Sequence, residues 1–164
     1  MSVIIRDAVT ADVASILEIT NHAIAHTTAI YDYDQRTLDY QLQWFEKRVT
    51  AGFPVLVAER DEKIVGYASY GQFRERQAYK STAEHSVYVA HGFEGAGIGS
   101  KLLTEIIARA KNAGIHTLIG GIDASNADSI AFHEKFGFER AGLIREAAYK
   151  FDRWLDLVFM QKIL

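Results

Sequence analysis

The chain has 164 residues, no cysteine and a single proline, and its 18 Lys and Arg against 21 Asp and Glu leave a net charge of −3. This length suits one domain, expected over residues 1–164, with enough chain to bury a core. Lack of cysteine excludes disulfides, thiolate metal sites and a cysteine nucleophile, and the slightly acidic balance gives no basic face for nucleic acid.

The opening "MSVIIRDAVTAD" has Arg6 and Asp7 within its apolar stretch, so it does not read as a signal peptide. No apolar run approaches the ~20 residues of a bilayer span. A cytoplasmic protein without a membrane partner is the expectation. A strand is predicted at Val3 to Arg6. Thr10 is placed to cap a first helix, with Val13, Ile16, Leu17 and Ile24 on one face. The polar and aromatic "HTTAIYDYDQ" reads as a loop. Leu38, Leu42, Phe45 and Val49 mark a second helix, stopped by Gly52. After Pro54, "VLVAERDEKIVGYASYGQF" reads as two strands joined by a tight turn at Asp61-Glu62-Lys63. "STAEHSVYVA" is a third strand of this run. Ile98, Leu102, Leu103, Ile106, Ile107 and Ala110 form an amphipathic stripe closed by Gly114. "HTLIGGI" is a strand, Asn126 to Phe136 a short helix ended by Gly137, and the rest one or two closing strands. The order β-α-α-β-β-β-α-β-α-β-β implies a mixed α/β or α+β sheet.

The stretch "EGAGIGSKLL" sets three alternating glycines before the amphipathic helix. Free N–H groups at such a helix start suit an anion, pyrophosphate in particular; a plain strand-to-helix turn is the alternative. Dinucleotide spacing is absent, because Ser100 holds the place of the third glycine. The Walker order is absent too, since Lys101 follows Ser100.

With its flanks, "HSVYVAHGFEGAGIGSKLL" is similar to the signature of the GNAT N-acetyltransferases, and "NADSIAFHEKFGF" to their later cofactor-side segment. "TTAIYD", "GFPVLVAE", "GYASYGQFR", "AEHSVYV", "FHEKFGF" and "KFDRWLDLVFMQ" together resemble the phosphinothricin and methionine sulfoximine N-acetyltransferase branch. The resemblance covers nearly the whole chain. It implies a mixed, mostly antiparallel sheet flanked by helices, with acetyl-CoA where two parallel strands splay. It also implies a small amino-acid-like substrate and a homodimer. Cofactor contacts then fall to Val87, Tyr88 and Val89, to Gly95, Ala96, Gly97, Ile98, Gly99 and Ser100, and to Asn126 and Lys135. The family usually has Arg or Gln where this chain has Glu94, a carboxylate that must point to solvent if a pyrophosphate sits beside it.

Acetyl transfer from a thioester to an amine requires a base for the amine and a proton for the leaving thiolate. Glu84 matches the family glutamate proposed as base. Strand alternation puts it with Ser86 and Tyr88, opposite His85, Val87 and Val89; a solvent-facing glutamate is the alternative. His133 stands where many relatives carry a tyrosine acid, in line with Asn126 and Ile130. It is either a group near the thiolate, a group orienting Glu84, or a packing histidine. Asn126 is a pantetheine contact or a plain helix cap, and Lys135 a phosphate contact or a solvated side chain. Arg74, Glu75, Arg76 and Lys80 form a charged loop in which Arg74 matches the family's substrate arginine. Thr28, Ile30 and Tyr31 are another wall of the substrate site or simply core, and His85 and Ser86, beside Glu84 in sequence, count among the substrate contacts. His22, His26, His85, His91 and His116 form no trusted metal spacing, so no metal is expected. The alternatives within reach are an acetyltransferase for a polyamine or a protein N-terminus, and a non-catalytic acyl-CoA-binding protein.

Overall fold

The computed structural model describes residues 2–164; residue 1 of the expected domain lies outside the described residues. Seven strands make one sheet in the order β1-β2-β3-β4-β5-β7-β6. These are β1 (Ile4–Asp7), β2 (Val55–Arg60), β3 (Lys63–Gln72), β4 (Thr82–Val89), β5 (Thr117–Asp123), β6 (Glu139–Lys150) and β7 (Arg153–Ile163). Four helices join them: α1 (Val13–His26), α2 (Leu38–Thr50), α3 (Ile98–Asn112) and α4 (Ala127–Lys135). Every strand pair is antiparallel except β4 with β5.

The helices cover both faces. On one, α1 and α2 pack Val13, Ile16, Ile19 and Phe45 against Val55, Val57 and Tyr67. On the other, α3 lays its stripe on Leu56, Ala68, Ala83 and Leu118. Ile98, Leu102, Leu103 and Ile106 are all buried, each contributing about 1.5–3 kcal/mol by leaving water. Gly114, at φ +79°, ends α3, with Ile115 N–H returning to the Ala110 carbonyl.

Two local expectations are corrected. Asp12, not Thr10, organises the start of α1: its carboxylate accepts from the Val9 N–H (2.8 Å) and from Arg6 (2.7 and 3.0 Å). An ionised carboxylate meets the guanidinium fork with two charged oxygens and the N–H with one of them, where a threonine offers a single neutral oxygen. In α2 the predicted stripe is rotated. Phe45 is buried and Leu42 packs partly inward, but Leu38 and Val49 are exposed and Gln41 is buried.

Candidate active site

The parallel pairing of β4 with β5 is short. It runs from Thr82↔Thr117 to Glu84↔Ile119, after which both strands continue unpaired with each other. The β4 edge from Ser86 to Val89 therefore faces a gap with no strand on that side. A cleft of about 430 Å³ occupies it, lined by Thr28, Ile30, Tyr31, Arg48, Glu84, His85, Ser86, Val87, Tyr88, Asn126 and His133, among others.

Glu84 and His85 enter this cleft from opposite faces of the sheet. Tyr88, on the Glu84 side, packs with α1, while Val87 and Val89, on the His85 side, pack with the α3 layer. Burial pushes the Glu84 carboxyl above its usual range, opposed by the charges of Arg74 and then Arg48. His85 Nε2 lies 3.0 Å from His133 Nε2, and His133 Nδ1 donates to the Ser129 carbonyl at 2.7 Å. With Nδ1 donating, a neutral His133 offers Nε2 as acceptor, so His85 donates across the pair. Burial, then the neighbouring His133, lowers His85 to about 3; burial also lowers His133.

Two adjacent glycines on β5 lie against these groups, and Gly120 makes room for the histidine pair. A Cβ on Gly120 would stand 2.9 Å from His85 Cε1 and 3.3 Å from His133 Nε2. On Gly121 it would stand 3.5 Å from Glu84 Oε2. The dipeptide Gly120-Gly121 inside a strand was the sequence signal for this arrangement.

At the α3 end, Gly95 and Gly97 have φ of +76° and +78°, and open space lies where their side chains would be. Lys101 N–H reaches back to the Gly97 carbonyl at 3.1 Å, which leaves the N–H groups of the first turn, Ile98, Gly99 and Ser100, without helical partners. Val89 and Phe132 bound the space over Gly99. Glu94 is exposed; its carboxylate accepts from the Gly92 N–H at 2.7 Å and lies 3.5 Å from His91. The helix start at Ile98 thus presents free N–H groups, and the β4 edge that precedes the loop borders the cleft.

The other predicted residues divide. Asn126 lines the cleft, and its Oδ1 caps α4 by accepting from Ser129 N–H at 3.1 Å. Lys135 is exposed at the end of α4, outside the cleft lining. Arg74, Glu75 and Arg76 also lie outside that lining; Arg74 stacks on Phe73 (4.0 Å) and donates to its carbonyl. Three residues of the site carried no sequence expectation. Arg48 reaches the cleft from α2. Asp123 accepts from Thr28 (2.5 Å) and Ser125 (3.0 Å); burial would lift its pKa, but these bonds and Arg153 hold it low. Lys150, buried, donates to the carbonyls of Ile24, Thr27 and Ile30 at 2.7, 2.8 and 2.6 Å. It thus fixes the end of α1 and the Thr28–Tyr31 wall.

A sheet opened between two parallel strands, above a glycine-lined helix start, defines a class: acyltransferases that bring a long thioester arm and an acceptor together in the gap. The chain belongs to the GNAT acetyltransferases, whose family description, Acetyltransferase (GNAT) domain, matches residues 5–159. It is an N-acetyltransferase. The L-methionine sulfoximine/L-methionine sulfone acetyltransferase of Salmonella typhimurium is 44% identical over 157 residues, 96% of this chain and 92% of that protein. A ribosomal-protein-alanine N-acetyltransferase from Brucella melitensis superposes with a TM-score of 0.97 at 49% identity, covering 98% of this chain and 99% of that one. A phosphinothricin acetyltransferase from Sinorhizobium meliloti, solved in complex with acetyl-CoA, gives 0.97 at 35% identity, covering 100% and 89%.

Proposed function

We propose that the protein transfers an acetyl group from acetyl-CoA to the amine of a small amino acid of the methionine sulfoximine, methionine sulfone or phosphinothricin kind. The observation that carries this is Glu84, a half-buried carboxylate of raised pKa at the point where β4 and β5 part. Acetyl-CoA supplies the activated thioester. N–H groups from Gly95 to Ser100, with Ala96 and Ile98 among them, hold its pyrophosphate. The free edge at Val87, Tyr88 and Val89 and the Asn126 amide hold the pantetheine, and Lys135 adds charge outside the cleft.

Glu84 accepts the amine proton, directly or through water. A base of raised pKa is better matched to that task than a free glutamate. The amine nitrogen then bonds to the acetyl carbon as the carbon–sulfur bond breaks. The second proton, which the nitrogen sheds as the amide forms, goes to the departing thiolate, while His133, with Nδ1 held by the Ser129 carbonyl and Nε2 accepting from His85, positions the groups on that side of β4. Arg74 holds the substrate carboxylate, with Glu75 and Arg76 beside it, while Thr28, Ile30, Tyr31 and Ser86 wall the pocket. A homodimer belongs to the same proposal. It is supported by the edge position of β6 and by exposed Leu143, Ile144, Tyr149 and Trp154 on the β6–β7 hairpin.

The likeness to the Brucella enzyme favours a second reading, acetylation of a protein N-terminus. An amine panel read by free-thiol release separates the two: methionine sulfone, methionine sulfoximine, phosphinothricin, spermidine and an alanine-initiated peptide. Turnover of the oxidised methionine analogues is expected. Turnover of the peptide or the polyamine alone overturns the proposal, and acetyl-CoA binding without turnover of any amine would leave a non-catalytic binder.

A further inference from the structure

Helix α2 lies against its own apolar pattern. Leu38 and Val49 are 45% and 53% exposed, while Gln41, Phe45 and Arg48, at i, i+4 and i+7, turn inward. Exposing two aliphatic side chains to bring in an amide and a guanidinium opposes the hydrophobic effect, and such violations concentrate where function compensates them. Arg48 is the inward residue that reaches the cleft. Its Nη1 is buried and has no hydrogen-bond partner. The guanidinium lies over Gly71, so close that a Cβ there would stand 2.2 Å from Nη1 and 2.8 Å from Cζ. Gly71 is the β3 partner of Glu84. Trp44 flanks the guanidinium, its ring centroid 5.7 Å from Cζ. A charged donor with one buried, unpartnered nitrogen is thus held in a slot cleared for it, one strand away from the carboxylate.

We propose that Arg48 determines specificity by receiving an oxygen on the substrate side chain, of the sulfonyl, sulfoximine or phosphinate type, while the amine lies at Glu84. This rests on the reading of the protein as an amino-acid N-acetyltransferase. Two cations act on Glu84: Arg74, exposed on its loop, and Arg48, half-buried with its Nη1 enclosed. The α-carboxylate, which every amino acid carries, suits the exposed arginine. Selection among side chains suits the fixed one, because a buried donor left without an acceptor penalises a substrate that lacks the oxygen. A thioether side chain gives Arg48 nothing to bond, whereas an oxidised sulfur or a phosphinate presents acceptors.

The test compares kcat/KM for L-methionine sulfone and L-methionine in the wild type, Arg48→Met, Arg48→Lys and Gly71→Ala, with the acetyl-CoA Kd measured alongside. The wild type should favour the sulfone. In Arg48→Met the sulfone-to-methionine ratio should fall ~10- to 100-fold, the range for losing a charge-assisted hydrogen bond. Arg48→Lys should recover part of the ratio. Gly71→Ala, which displaces the guanidinium without deleting it, should lower the ratio in the same direction. An unchanged ratio, with both substrates falling together, overturns the inference and makes Arg48 a support for Glu84 or for the fold. If Arg48→Met no longer binds acetyl-CoA, the lysine and Gly71 variants carry the comparison. A wild type that turns over neither amino acid overturns the parent reading, and this inference with it, before any variant is compared.

Discussion

Glu84→Gln keeps the size of the side chain and removes its capacity to accept a proton at neutral pH. The rate should fall ~10²–10⁴-fold, about 3–5 kcal/mol of barrier, with acetyl-CoA affinity maintained. The deficit should narrow as pH rises, because more substrate amine then arrives already deprotonated. A variant within threefold of wild type near pH 7 would move the base elsewhere. His85 yields a prediction about stability. Its ring stays neutral in the fold down to about 3, whereas an unfolded imidazole takes up a proton near 6.5. Between those values the unfolded state binds the extra proton, so stability is lost as pH falls from 6.5 toward 3. His85→Phe deletes that contribution. Urea unfolding should show a shallower loss for the variant than for wild type between pH 7 and pH 4, though the variant starts lower for want of the bond to His133. Equal slopes would remove His85 from the acid response. The glutamate was legible as a carboxylate within an apolar strand. The histidine pair was not, because it joins residues 48 apart and only the fold brings β4 and α4 together.

At the scale of elements, the link from β4 to α3 is both a turn and a receptor. Gly97 has a left-handed backbone and empty space beyond it, so a side chain there meets no protein atom within 4 Å. Gly97→Val therefore tests the phosphate course with little damage to packing, although a β-branched residue at that φ costs ~1–2 kcal/mol in strain. Acetyl-CoA affinity should fall at least ~10-fold, about 1.4 kcal/mol, by calorimetric titration. An unchanged Kd in a folded variant would place the pyrophosphate elsewhere. Helix α3 was readable in full, stripe and stop, because its environment is uniformly apolar. Helix α2 was readable in position but not in orientation. Periodicity counts apolar residues, and here one side of the helix answers to a polar cleft that no local pattern announces.

For the whole molecule, chain order anticipated the four α-helices and the first five strands of the described residues, since each carries its own period and its own punctuation, while the closing segment read as one or two strands and is two. Strand order and the short β4–β5 register come from pairings distant in sequence. So does Lys150, whose ammonium holds carbonyls more than 100 residues away. The parting of β4 from β5 has a kinetic corollary. Glu84 and the histidine pair face the cleft from opposite sides of β4. In the proposed direct transfer both co-substrates occupy the cleft at once, and no side chain has to carry the acetyl group between half-reactions. Initial-rate lines measured against one co-substrate at several fixed levels of the other should therefore intersect. Parallel lines would mean that an acetylated protein forms and that the two co-substrates are never bound together.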